Sequence, residues 1–203
     1  MTSLSRRAFV TAATASLLVS CAGKATTTPA AAHPRSTPPP ASPTARAPHA
    51  LARSVPVSLR VPAIGVDTPL IRLGLASDGT VRVPPIAAHD KAGWYENSPT
   101  PGRTGPSVIL GHVTVGSYGD GVFRHLADLR KGDRIETRLE NGSTAGFTVT
   151  AVRTVAKSEF PTRQVYGDVD RPELRLITCG GARTGDGYLD NVIVFAALSS
   201  ATP

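Results

Sequence analysis

Leu174-Arg175-Leu176-Ile177-Thr178-Cys179-Gly180-Gly181, followed by Asp190-Asn191-Val192-Ile193-Val194-Phe195-Ala196, decides the fold. Both runs are rich in aliphatic and β-branched residues, which fit a pleated and partly buried surface, and glycines separate them. They read as two strands, the first ending in a thiol. The same grammar recurs upstream, where short Val/Ile/Leu runs alternate with Gly, Pro, Asn and Asp from residue 55 onward. Strands are predicted over 57–61, 70–73, 81–83, 107–113, 134–139, 146–158, 173–179 and 191–197, with Asn141-Gly142 turning a hairpin between the fifth and sixth. A short helix is expected at 122–129, where Val122, Leu126 and Leu129 share a face. Eight strands with one or two short helices make an all-β domain, a small closed or nearly closed barrel.

The opening stretch of the 203-residue chain has a different character. Arg6 and Arg7 precede an apolar run, and a patch of small residues ends at Cys21, which is the pattern of an export signal. The run falls short of the roughly 20 apolar residues of a spanning helix. Ser5-Arg6-Arg7-Ala8-Phe9 resembles a twin-arginine signal, and Leu18-Val19-Ser20-Cys21 resembles a bacterial lipoprotein box. The second resemblance implies that Cys21 is diacylated and tethers the domain to the outer face of the cell membrane. The organisation expected is therefore an export signal over 1–21, a disordered Pro/Ala/Thr-rich linker over 22–54 and a folded domain over 55–203.

Charge follows the same division. Residues 1–54 carry six basic and no acidic side chains, leaving 16 basic against 15 acidic for the remainder of a chain whose formal net charge is +7. A nearly neutral domain lacks the basic face that nucleic-acid binding requires. Only two cysteines exist and Cys21 is committed to the leader, so Cys179 is an unpaired thiol in an oxidising compartment. Such a thiol is either buried and inert or kept for reactivity.

A second strand end answers the first. Ser107-Val108-Ile109-Leu110 runs into Gly111-His112-Val113, putting an imidazole directly after an apolar strand. If this strand lies parallel to 173–179, their ends bring thiol and imidazole together. A free thiol with a pKa of about 8.5 is mostly protonated near neutrality, and a neighbouring imidazole stabilises the thiolate or exchanges protons with it. Gly180 and Gly181 then let a substrate backbone approach and leave N–H groups for an oxyanion.

Gly111-His112-Val113, Leu176-Ile177-Thr178-Cys179-Gly180-Gly181 and Asp190-Asn191-Val192-Ile193-Val194-Phe195-Ala196 together resemble the class F, or class E/F, sortases of high-GC Gram-positive bacteria. Trp94-Tyr95, Ser98-Pro99, Pro101-Gly102 and Val122-Phe123 stand where that family has them. The resemblance implies an eight-stranded sortase-type barrel that cleaves an LPXTG-like sorting signal through a thioacyl intermediate and transfers it to an amine. That amine would belong to a cell-wall precursor or a pilin lysine. Cys179 would be the nucleophile, His112 the acid or base, and Thr178, Gly180 and Gly181 substrate contacts.

The family also has an arginine on its last strand, close to the cysteine. Here Leu189 stands where related sequences often have it, leaving Arg183 or Asn191 as candidates for the oxyanion. A monomer without metal or other cofactor is expected. Two alternatives remain, a catalytically weak sortase-like module that binds peptide or wall polymer and an L,D-transpeptidase. The latter family sets its cysteine after Ser-His-Gly, whereas Ile177-Thr178 precedes Cys179 here.

Overall fold

The computed structural model describes residues 49–203 apart from residue 186. The export signal, Cys21 and most of the expected linker lie outside the described residues.

Ten strands run in the order β1 (Pro56–Val61), β2 (Val66–Leu73), β3 (Ala92–Tyr95), β4 (Gly105–Leu110), β5 (Thr114–Val115), β6 (Gly119–Asp120), β7 (Arg134–Leu139), β8 (Thr144–Ala156), β9 (Pro172–Thr184) and β10 (Gly187–Thr202). One five-residue helix, α1 (Thr162–Tyr166), lies in the β8–β9 connection. Eight strands close into a barrel ordered β1-β2-β3-β4-β9-β10-β8-β7, while β5 and β6 form a separate small ribbon. Closure pairs every barrel strand on both sides and leaves no open sheet edge. The β2–β3 and β4–β9 pairs are parallel.

The central strands β4 and β9 explain the apolar runs of the sequence. All six residues of β4 are buried, because its two faces meet different cores. Ile109 joins Leu174, Leu176, Trp94, Phe147, Val192 and Val194 inside the barrel. Val108 and Leu110 join Ile177, Ile193 and Val165 on the outer face, under the β8–β9 connection. A strand covered on both sides reads as continuous hydrophobicity instead of alternation. The connection carrying α1 is thus the cover of the outer patch, and each aliphatic side chain it hides contributes about 1.5–3 kcal/mol.

The turn at 141–142 forms as expected, with Gly142 at φ +89 and the Asn141 side chain accepting from the Ser143 N–H. Four expectations need correction. Residues 122–129 are successive turns ending in a 3₁₀ turn at Leu126–Asp128, not a helix. The N–H groups of Leu126 and Leu129 donate to the carbonyls of Phe123 and Leu126, a period of three that buries Phe123, Leu126 and Leu129 in place of the expected Val122 face. Residues 81–83 form only an isolated bridge, Val81 to Leu75. The strand Ala92–Tyr95 was not expected, being four residues long with a glycine inside it. Finally, the domain's contacts begin before residue 55, since Leu51 packs on the core and its N–H donates to the Gly102 carbonyl at 2.9 Å.

Candidate active site

The parallel β4–β9 ladder holds a constant offset from Gly105↔Pro172 to Leu110↔Ile177. Continued by two residues, the same offset sets His112 level with Cys179. The Gly111 N–H still donates to the Ile177 carbonyl at 3.1 Å, so the alignment persists past the end of β4. Parity agrees: on β4, Val108 and Leu110 face outward, as does Ile177 on β9, and period-two alternation puts His112 and Cys179 on that same face. Neighbouring strands lie roughly 4.8 Å apart, so this alignment, carried two residues past the end of β4, brings His112 level with the thiol. Both are partly buried, and Cys179 is a free thiol.

The histidine is held from several directions. Its Nε2 lies 2.7 Å from the Pro84 carbonyl in the β2–β3 connection. Its own carbonyl accepts from the Phe123 N–H at 2.8 Å, and that of Val113 accepts from Gly121 at 3.0 Å. Two glycines make room for this arrangement. A Cβ at Gly111 would lie 2.6 Å from Phe123 Cδ2, and one at Gly121 would collide with the His112 carbonyl. The glycine-rich 116–121 segment, which has no phosphate-loop lysine, thus contributes at Gly121 close packing beneath the histidine. Gly121 did not stand out from sequence, and Gly111 did so only as part of the word around the imidazole.

On its other side Cys179 pairs with Asn191 of β10. The Asn191 Nδ2 donates to the Thr178 carbonyl at 3.2 Å, which orients the amide and leaves its second N–H uncommitted. Arg183 is differently placed. Between the pairs Gly180↔Asp190 and Arg183↔Tyr188, β9 spends Gly181 and Ala182 against Leu189 alone. Gly181 takes φ +73 in this bulge, and the extra residue reverses the parity of the strand beyond it. Leu189 shares the Cys179 face, whereas Arg183 and Tyr188 lie on the opposite one. There the Arg183 guanidinium sits 6.0 Å from the Tyr188 ring centroid, and the Tyr188 hydroxyl bonds Thr114 Oγ1 at 2.7 Å.

The expected substrate contacts divide. Thr178 is buried, and alternation turns its side chain into the barrel, so only its carbonyl serves the site, by holding Asn191. Gly180 has a packing reason, since a Cβ there would stand 2.6 Å from Val192 Cγ2, and Gly181 serves the bulge.

Residues 59–199 match the family described as "Sortase domain". The chain belongs to the sortase family. Its fold is shared with sortase A from Corynebacterium diphtheriae (TM-score 0.56, 22% identity, covering 75% of this chain and 64% of that one). It is similar also to the SrtA sortase from Actinomyces oris (TM-score 0.56, 25% identity, 78% and 89% covered) and to the Clostridium perfringens sortase D5 transpeptidase (TM-score 0.53, 24% identity, 72% and 79% covered). No curated protein sequence matches the chain.

A residue unnoticed in the sequence occupies this sortase's outer face. Arg175 lies on the same row of β9 as Ile177 and Cys179, four residues or roughly 13 Å before the thiol. It is buried, donates to Glu173 Oε2 at 2.6 Å and to the carbonyls of Gln164 and Leu174, and stacks 4.7 Å from the Phe195 ring centroid. Its Nε bonds the α1 backbone and its other two bonds stay on β9, so it anchors the helix instead of reaching the thiol. A charge set between Leu174 and Leu176 was the available signal. Beyond it a cavity of about 590 Å³ opens, lined among others by Val81, Tyr95, Val108, Phe160 and Tyr166. Burial, and secondarily the nearby Tyr95, raises the Tyr166 phenol above its ordinary 10.0. Among the described residues no group of three or more His, Cys, Asp or Glu side chains is arranged to hold a metal, and no helix is long and apolar enough to cross a membrane.

Proposed function

We propose that this sortase is a cysteine transpeptidase acting on a sorting-signal peptide of LPXTG type, with Cys179 as nucleophile and His112 as acid and base. The observation that supports the reading is the β4–β9 offset, which runs to Leu110↔Ile177 and, continued by two residues, aligns His112 with Cys179. In the first step the Cys179 thiolate attacks the scissile carbonyl, the His112 imidazolium gives its proton to the departing amine, and a thioacyl enzyme forms. In the second, His112 takes a proton from the acceptor amine as that nitrogen attacks the thioester, and the Cys179 thiolate leaves with a new amide formed. The free N–H of Asn191 is the donor this reading assigns to the oxyanion, in preference to Arg183, whose strand position faces away. A neutral donor is weaker than a charge-assisted one.

The cavity fits the peptide's length. Val108 stands four residues, roughly 13 Å, before His112 on the same face, which is the span of about four extended residues. A peptide whose carbonyl lies at Cys179 therefore reaches an aromatic and aliphatic cavity suited to the leucine of such a motif. The same reading takes the chain as a class E/F sortase, on the words quoted from its sequence, and as a monomer that needs no cofactor. It places the domain outside the cell, tethered through lipid on Cys21, with a cell-wall precursor or another amine as acceptor.

Incubation with a pool of LPXTG-like peptides and an amine, followed by mass spectrometry, tests the proposal. Amide transfer by the wild type and none by a folded Cys179→Ala variant is expected. Peptide binding without cleavage would instead favour a non-catalytic module.

A further inference from the structure

We propose that the backbone carbonyl of Pro84 fixes the tautomer of His112, so that the β2–β3 connection works as a positioning element for proton transfer. The inference rests on the reading of Cys179 and His112 as a reacting pair. A carbonyl can only accept, so the 2.7 Å contact requires the hydrogen on Nε2. In the neutral ring Nδ1 is then the basic nitrogen. The proton leaving the Cys179 sulfur goes to Nδ1, and the imidazolium so formed keeps its Nε2–H donated to the carbonyl, whose dipole offsets part of the new charge. This is the orienting role that a carboxylate or amide side chain fills in other nucleophile–histidine sites.

The connection is built to hold that oxygen still. Pro84 is buried, although its neighbours on the same segment, Val83 and Ile86, are 58% and 62% exposed. A loop that turns its aliphatic side chains outward and its proline inward is not organised by hydrophobic burial alone. Pro84 has its own φ fixed by its ring, and standing before Pro85 it is confined to the extended region. Pro85 itself is extended, at φ −56 and ψ 145. Its carbonyl accepts from Ala88, and the His89 carbonyl accepts from the Val122 N–H, next to the Phe123 N–H that holds the His112 carbonyl. The earlier part of the connection is closed by the Leu75 to Val81 bridge and lines the peptide cavity through Leu75, Thr80 and Val81.

Two variants of the full chain separate the carbonyl from the proline ring. Pro84→Ala removes the buried ring, but Pro85 still confines residue 84, so the carbonyl stays in place. The double variant Pro84→Gly/Pro85→Gly keeps the carbonyl atom and frees its direction. With ¹⁵N-labelled histidine, assigned by comparison with His112→Ala, wild type and Pro84→Ala are expected to show protonated Nε2 and unprotonated Nδ1 in the neutral ring. The double glycine variant should show averaged signals. In peptide transfer it should lose about tenfold or more in kcat relative to Pro84→Ala, with KM within about twofold of that variant. Averaged signals already in the wild type, or a Pro84→Ala variant as impaired as the double variant, would overturn the proposal. The nitrogen signals are read without turnover, so an inactive wild type would count against the transpeptidase reading alone.

Discussion

Replacing Arg175 by alanine tests how the wall of the cavity beside α1 is held. The guanidinium is 3% exposed and holds three acceptors, namely the Glu173 carboxylate and the carbonyls of Gln164 and Leu174. Alanine leaves Glu173, whose side chain is 10% exposed, with Arg171 as its remaining ion-pair partner, and that side chain is 67% exposed. Removing one member of a buried pair costs about 3–5 kcal/mol, unless the exposed Arg171 makes up the loss. For a domain of this size that corresponds to a fall in Tm of roughly 6–20 °C. Loss of the Gln164 contact also frees α1, so KM for peptide should rise more than kcat falls. Arg171→Ala, which breaks only the exposed pair, should cost at most about 1 kcal/mol. Thermal unfolding and steady-state transfer of the three proteins decide the matter. Arg175→Ala no more destabilising than Arg171→Ala would refute the reasoning, because it would mean that Arg171 alone suffices for the Glu173 carboxylate.

Gly121→Ala should push the His112 carbonyl away and lower kcat by about tenfold or more at a stability cost of about 1–3 kcal/mol, as measured by transfer rates and urea unfolding. Leu189→Arg introduces a charged donor on the Cys179 face, and the rate of thioacyl formation in rapid quench should rise about tenfold if the oxyanion is otherwise served by a neutral group. The raised ionisation of Tyr166 means that the fold favours the neutral phenol. Its contribution is complete below the unfolded value of 10.0 and is lost as pH climbs through the higher folded value, so Tyr166→Phe should flatten the alkaline fall in stability measured above about pH 10.

The strand words were legible because β4 and β9 are buried on both faces, which leaves uninterrupted apolar runs ending in His112 and Cys179. Their meeting was legible only as a condition, since which strands pair in parallel depends on barrel closure. The helix over 122–129 failed because apolar residues at 122, 126 and 129 fit a helical stripe, while 123, 126 and 129 fit a period of three just as well. Tertiary packing on the barrel chose between them. Counting along β9 could not place Arg183, because the bulge at Gly181 inserts one residue and changes its face. The Pro84 contact left no signal, as it joins a loop carbonyl to a residue 28 positions away.

The most direct test of the central claim is the mass of the acyl enzyme. Trypsin releases Cys179 on the peptide Leu176–Arg183. After incubation of the chain with sorting-signal peptide and no acceptor amine, that fragment should gain the acyl mass in the wild type, lose it on addition of an amine, and gain far less in His112→Ala. Transfer with no adduct on this fragment, or equal acylation in His112→Ala, would contradict the pairing of Cys179 with His112.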